Sequence, residues 1–188
     1  YEEFKEKENE MITTEIVSFN RDFVTLDLGH NMETSLPRKE LLKSDEVYEG
    51  SRLRVYITKV EMTTKGPKVF VSRTDRNLVK RLIEQVCPEI QDGTVEIMGI
   101  SRDPGDRCKI AVFSHDDNVD PIGAVVGYKG SRIREVLDAL QGEKIDIFEF
   151  INSRKYESSF MKENIANTEL ILVNFKTQTS ITLTLENL

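Results

Sequence analysis

The sequence predicts an α+β protein with several domains: a small five-stranded β-barrel, then an αββααβ unit, then the start of a further such unit. Two observations support this prediction. Apolar residues alternate in short runs as far as Ser72, and from Leu78 onward they follow a helical period. Two glycines, Gly127 and Gly130, also separate a pair of predicted helices in the second unit.

The barrel is predicted for residues 11–76, after a mostly charged segment 1–10 that we expect to be the end of a helix or a linker. A turn or short helical piece is expected at 37–42. The predicted strands are 12–19, 23–28, 33–36, 53–60 and 68–72. Five short strands with one connecting turn indicate a small closed barrel of the OB type.

The αββααβ unit is predicted for residues 77–152, because helical and strand-like patterns follow one another in that order. Pro88 ends the first predicted helix, and Pro104 with Gly105 marks a turn between the two following strands. The predicted elements are helix 77–87, strands 94–101 and 107–113, helices 118–126 and 131–140, and strand 144–150. We expect the helices to cover one face of a three-stranded sheet.

Residues 153–188 repeat the opening of this unit. A helix is predicted over 154–166 and strands over 170–175 and 180–185, so we expect a partial second αββααβ unit. The chain begins with Tyr1 instead of Met and ends in a strand-like run, so both ends look cut from a longer protein.

Composition excludes several functional classes. The 188 residues contain no run of 18 apolar residues and no signal-peptide pattern, so we expect a cytoplasmic protein without membrane contact. Two distant cysteines and two distant histidines predict no metal site, and no other cofactor is expected. The net charge of −7 requires any nucleic-acid site to be a local cluster of cations.

The glycine pair is the most informative feature, because it brackets a loop that opens a predicted helix. Glycines leave room for another backbone, and the first helical turn offers unpaired N–H groups with a positive dipole end. Ser131 is expected to cap this helix. The candidate RNA-binding residues here are Gly127, Tyr128, Lys129, Gly130, Ser131, Arg132 and Arg134. Clamping of four nucleotides by such a GxxG loop is typical of KH domains, whereas the alternative is an ordinary turn between helices.

A second candidate lies in the barrel, where Phe19 and Phe23 flank a turn that contains Arg21. The two rings are predicted to stack on bases beside this cation. The alternative is that one or both rings fill the barrel. Near His115, the acidic residues fit helix capping better than acid–base catalysis, so no enzymatic activity is expected.

Several stretches carry a resemblance to a known family. They are 71–74, 88–97, 106–112, 118–124 and 142–147. These stretches resemble the NusA family of bacterial transcription factors. The similarity covers residues 1–150, and residues 153–188 resemble the start of the family's second KH domain.

This resemblance implies a non-catalytic, RNA-binding region of a transcription elongation factor. Such a region binds single-stranded nascent RNA at RNA polymerase and modulates pausing, termination and antitermination, with other elongation factors as further partners. The resemblance also implies that polymerase is contacted mainly by an N-terminal domain outside this chain. Two alternatives remain: an accessory region of an RNA-processing exonuclease, in which the KH unit would precede the barrel, and an acidic protein-interaction scaffold.

Overall fold

The computed structural model of the chain describes residues 1–150 and 180–183. It confirms the α+β class: a five-stranded sheet curves into a nearly closed barrel, and a unit of helices packed on a second sheet follows it. Among the described residues, no helix combines the length and the apolar character needed to cross a membrane.

The barrel is antiparallel throughout, with the strand order β3-β2-β1-β4-β5. Its strands are β1 (Met11–Phe19), β2 (Phe23–Asp27), β3 (Glu33–Pro37), β4 (Arg52–Thr63) and β5 (Gly66–Ser72). Alternating apolar side chains such as Val24 and Leu26 point into the core and are fully buried. The Thr34 hydroxyl donates to the Val69 carbonyl and brings the edge strands β3 and β5 together. A short 3-10 helix, Arg38–Glu40, follows β3.

The charged N-terminal segment contains a short helix, α1 (Glu2–Glu6), whose single aromatic residue is part of the barrel core. The Phe4 side chain is buried, and the Asn9 N–H donates to the Ile57 carbonyl of β4. The start of the chain is therefore attached to the barrel by apolar packing and a backbone hydrogen bond.

The second unit has the predicted αββααβ order, with one additional helical turn after its first helix. Its helices are α2 (Arg76–Val86), α3 (Pro88–Gln91), α4 (Pro121–Val126) and α5 (Ser131–Leu140), and its strands are β6 (Val95–Asp103), β7 (Arg107–Ser114) and β8 (Lys144–Glu149). Strand β7 pairs antiparallel with β6 and parallel with β8. Helix α4 begins later than predicted because Asp120 is its N-cap and accepts a hydrogen bond from the Ile122 N–H.

A fourth strand, β9 (Ser180–Leu183), pairs antiparallel with β8. It lies within the strand predicted at 180–185 and extends the sheet of the αββααβ unit. The helix predicted over 154–166 and the strand predicted over 170–175 lie outside the described residues.

A buried ion pair of the barrel segment also contacts the αββααβ unit. The Arg73 guanidinium donates two hydrogen bonds to the Asp45 carboxylate, and both side chains are fully buried. The same guanidinium donates to the Ala139 carbonyl of α5 at 2.9 Å and to the Arg54 carbonyl of β4 at 2.8 Å. One side chain thus fixes the C-terminal end of α5 against the barrel.

Candidate nucleic-acid interface

The GxxG loop has an unusual backbone conformation. Gly127 ends α4 with a φ of 76°, and Gly130 precedes α5 with a φ of 74°. Between them Lys129 has a φ of 50° and a ψ of 35°. Positive φ values favour glycine, so the glycine pair is explained by the two sharp changes of direction that connect α4 to α5.

The position of a side chain at Gly127 is occupied by an arginine of the same unit. A Cβ atom there would lie 2.6 Å from Cγ of Arg132. The missing side chain therefore makes room for this arginine, and close approach of another backbone to the glycine pair stays a prediction.

Ser131 does not cap α5, so this prediction was wrong. Gly130 is the N-cap residue, and Ser131 already has helical angles of −59° and −38°. Within the part of the chain that the structure describes, no side chain caps the first turn of α5. Its N–H groups form a positively polarised end beside the loop.

The polar side chains of the loop divide into two groups. Tyr128 is 81% exposed, and the Lys129 ammonium lies 5.3 Å from the centre of its ring, so these two residues form the outer surface of the loop. Arg134 is exposed on α5. Arg132 is turned inward, with Nη1 at 2.7 Å from Oε2 of Glu89 and 2.6 Å from the Ala124 carbonyl oxygen.

Glu89 is held in its ionised form. Burial opposes ionisation of the carboxyl group, but a backbone hydrogen bond, the Arg132 guanidinium and the Cys87 thiol hold its pKa below the usual range. Burial raises the pKa of the neighbouring Cys87 thiol, and Glu89 adds to this effect. The inward group at the loop is therefore an ion pair beside a neutral thiol.

In the barrel, the structure exposes the two aromatic rings that flank the first turn. Phe19 is 46% exposed and Phe23 is 44% exposed, so the alternative that they fill the barrel was wrong. The Asn20 amide oxygen accepts hydrogen bonds from the N–H groups of Asp22 and Phe23, which fixes the turn. Arg21 lies exposed within it.

The structure adds residues that the sequence prediction missed. The Arg38 guanidinium lies 5.6 Å from the centre of the Phe19 ring and donates to the Asn20 carbonyl. A groove of about 1100 Å³ continues from Phe23 along the barrel. Among its lining residues are Lys39, Lys68 and Phe70. Strand β3 pairs with β2 so that Pro37 lies opposite Phe23. Arg38 directly follows Pro37, so a predicted pairing of these two strands could have identified it.

The acidic region near His115 has structural contacts. His115 pairs with Glu96, and Asp116 accepts a hydrogen bond from the Asn118 N–H. In residues 1–150 and 180–183, no group of three or more His, Cys, Asp and Glu side chains could hold a metal ion.

Comparison with known proteins identifies both units. Residues 5–72 match the S1 RNA binding domain, and residues 73–150 match the NusA-like first KH domain.

The chain is also similar to proteins named transcription termination/antitermination protein NusA. It is 40% identical to the one from Halalkalibacterium halodurans over 176 residues, which are 90% of this chain and 46% of that protein. It is 45% identical to the one from Bacillus subtilis over 147 residues, 78% of this chain and 39% of that protein. For the one from Thermus thermophilus the identity is 45% over 148 residues, 78% of this chain and 38% of that protein.

The chain thus spans less than half the length of these three relatives. The S1 match and the NusA-like KH match follow each other without overlap, in the positions of the barrel and of the αββααβ unit. The chain therefore belongs to the NusA family.

Proposed function

We propose that this chain is the RNA-binding region of a transcription elongation factor, which binds single-stranded nascent RNA at RNA polymerase and modulates pausing, termination and antitermination. The observation that carries the proposal is the loop between α4 and α5. It presents Tyr128 and Lys129 to solvent beside the uncapped first turn of α5. The match to an S1 RNA binding domain and the names of the relatives support it.

The loop would bind the RNA backbone. The N–H groups at the start of α5 suit a phosphate, and the Lys129 ammonium adds a positive charge at the same place. The exposed Tyr128 ring offers a surface on which a base can stack. The proposed RNA-binding residues of this unit are Gly127, Tyr128, Lys129, Gly130, Ser131, Arg132 and Arg134.

The barrel would bind bases through its exposed aromatic rings. Phe19 and Phe23 are the proposed stacking surfaces, and Arg21 and Arg38 lie where they can neutralise the adjoining phosphates. The groove beside Phe23 gives a single strand a path along the barrel.

Further parts of the proposal concern the protein as a whole. We place the barrel domain at 11–76, the first KH domain at 77–152 and the start of a second KH domain at 153–188, after an N-terminal segment 1–10. The protein would act in the cytoplasm without catalysis of its own. Contact with RNA polymerase would depend mainly on an N-terminal domain outside this chain, and other elongation factors are proposed as further partners.

RNA titration tests the binding activity. Labelled, unstructured single-stranded RNA is titrated with the chain and followed by fluorescence anisotropy at 50 and 200 mM salt. We expect affinity to fall as salt rises, with a slope that corresponds to about two to four phosphates. Absence of RNA binding at 50 mM salt would contradict the proposal and favour the acidic scaffold.

A transcription assay tests the regulatory role. The chain is added in excess to purified bacterial RNA polymerase that is paused at a hairpin, and the pause lifetime is measured. We expect a changed lifetime only when the emerging RNA is long enough to reach the chain. A change that is independent of RNA length would contradict a role through nascent RNA.

A further inference from the structure

Arg132 is the second residue of α5, directly after the GxxG loop, and its side chain contacts other elements of the same unit. Its side chain is 30% exposed and touches α3, the end of α4 and Gly127. We propose that Arg132, held by Glu89, is a positioning residue that sets the shape of the loop for RNA and does not itself bind a phosphate. This inference rests on the proposed function and assigns Arg132 a different role within it.

The first contact is with the end of α4. The last carbonyl groups of a helix lack intrahelical partners, and the negative end of the helix dipole lies beside them. Arg132 Nη1 lies 2.6 Å from the carbonyl oxygen of Ala124, in the last turn of α4. The guanidinium thus caps the C-terminal end of α4, the helix that precedes the loop.

The second contact is with the backbone of the loop. A Cβ atom on Gly127 would lie between 2.6 and 3.0 Å from Cβ, Cγ and Cδ of Arg132. The aliphatic part of the arginine therefore packs directly on Gly127. This packing limits the directions in which the chain can leave α4 and turn toward Lys129.

The third contact anchors the arginine to a separate element. Glu89 lies in α3, and its carboxylate is 2.7 Å from Arg132 Nη1. The Cys87 thiol lies 3.5 Å from the same carboxylate oxygen and 3.4 Å from the Ala124 carbonyl oxygen. The low pKa of Glu89 keeps this pair ionised over the neutral pH range.

Two roles for Arg132 predict opposite effects of removing Glu89. If Arg132 binds a phosphate, Glu89 competes with the RNA, and Glu89→Ala should strengthen binding because it releases a cation and removes an anion. If Arg132 positions the loop, Glu89→Ala leaves the guanidinium without its anchor. RNA binding should then weaken although the protein has lost a negative charge.

The experiment compares three variants of the 188-residue chain, titrated with unstructured single-stranded RNA at several salt concentrations. Glu89→Ala removes the anchor, and Glu89→Gln keeps an oxygen that can accept the hydrogen bond from Arg132. Glu135→Ala is the matched control, because this exposed residue on α5 has the same charge and is not among the hydrogen-bond or ion-pair partners that the described structure gives Arg132. Thermal unfolding establishes that each variant is folded.

We expect Glu89→Ala to weaken RNA binding by about fivefold or more, which corresponds to about 1 kcal/mol. The affinity of Glu89→Gln should lie within about twofold of the original chain, and Glu135→Ala should bind as tightly or slightly more tightly. In a fourth variant, Arg132→Gln, the salt slope should stay unchanged. Loss of a phosphate contact would lower that slope by about 0.7.

Amide NMR spectra without RNA provide a second measurement. The signals of Gly127 and Gly130 should shift in Glu89→Ala and return in Glu89→Gln. Unchanged loop signals, or tighter RNA binding by Glu89→Ala than by Glu135→Ala, would overturn the positioning role. Failure of the original chain to bind RNA would overturn the proposed function itself, and both roles of Arg132 toward RNA with it.

Discussion

The barrel and the αββααβ unit build their candidate RNA sites in different ways. In the barrel, the site consists of side chains: exposed rings at Phe19 and Phe23 lie on a rigid antiparallel sheet. In the second unit, the site consists largely of backbone, with positive φ values at Gly127, Lys129 and Gly130 and the uncapped start of α5. The barrel site should therefore depend on residue type, and the loop site on backbone shape.

One buried side chain contacts both regions of the molecule. Arg73 pairs with Asp45 at the edge of the barrel and also binds the Ala139 carbonyl of α5, the helix that begins at the GxxG loop. The barrel and the αββααβ unit thus share the contacts of Arg73. Removing these contacts should lower the stability of both regions.

The largest expected effect is on stability. Arg73→Met leaves the Asp45 carboxylate buried without its partner, so the free energy of unfolding should fall by about 3–5 kcal/mol. Urea unfolding followed by circular dichroism measures this change. Lys7→Met, which breaks an exposed pair with Glu3, is the control and should leave the urea midpoint nearly unchanged.

The same experiment tests whether the two regions unfold together. If the barrel and the αββααβ unit form one cooperative structure, Arg73→Met and Lys7→Met should each unfold in a single transition. A loss below about 1 kcal/mol in Arg73→Met would show that the buried pair does not stabilise the junction.

The next effect concerns the loop alone. Replacing Tyr128 and Lys129 together by Asp should lower RNA affinity about a hundredfold or more, because two carboxylates would face the phosphates at the start of α5. Stability should change by about 0.5 kcal/mol or less, since Tyr128 is exposed and Asp tolerates the left-handed conformation of Lys129. Anisotropy titrations and thermal melting measure the two quantities.

The control for this variant replaces the same two residues by Asn, which has a similar shape without charge. It should lose less affinity than the Asp variant. Equal RNA affinity of the original chain and a folded Asp variant would mean that the GxxG loop is only a turn.

The fold was largely predictable because each element has a local signal. Alternation predicted the strands of the barrel, and Pro88 marked the end of the first helix, whereas α4 was predicted from 118 and begins at Pro121. The burial of Phe4 was not predictable, because its neighbours are charged and its partners lie far away in the sequence. The same holds for the pairing of Arg73 with Asp45, which is 28 residues distant.

The candidate site was predicted in outline and not in its contacts. The glycine spacing identified the loop, but it did not distinguish an arginine that faces RNA from one that faces Glu89, 43 residues away. Ser131 was expected at the N-cap because serine is a favoured N-cap residue, yet the left-handed Gly130 takes that position. Local residue type thus located the site, and tertiary contacts decided which way its side chains point.

The barrel site can be tested by removing its rings. Phe23→Ala should weaken RNA binding by about 1–3 kcal/mol if a base stacks on this ring, and Phe19→Ala should have a comparable effect. Tyr48→Ala is the matched control, because this aromatic residue is also exposed in the barrel region but lies outside the groove. Affinities equal to that of Tyr48→Ala would assign RNA binding to the loop alone.

The smallest expected effect is a pH dependence of stability that arises in the αββααβ unit alone. Both cysteines of the chain lie in the αββααβ unit, and burial, reinforced by Glu143, raises the pKa of the Cys108 thiol to about 12. In the unfolded chain the thiol has a pKa of about 8.5, so it ionises there first. The stability that the neutral Cys108 thiol contributes is fully present below about pH 8.5. It is lost as the pH rises toward the pKa of this thiol in the folded chain.

Urea unfolding at pH 8.0 and pH 9.5 measures the contribution of Cys108. Between pH 8.0 and pH 9.5 the free energy of unfolding should fall by about 1 kcal/mol more in the original chain than in Cys108→Ala. Cys108→Ala keeps every other titratable group of the chain, so the difference isolates this thiol. The Cys108 thiol should also resist alkylation in the folded chain, because thiolate is the reactive form. Parallel pH curves for the two proteins, or rapid alkylation at pH 9.5, would show that this thiol ionises in the native state and that burial does not protect it.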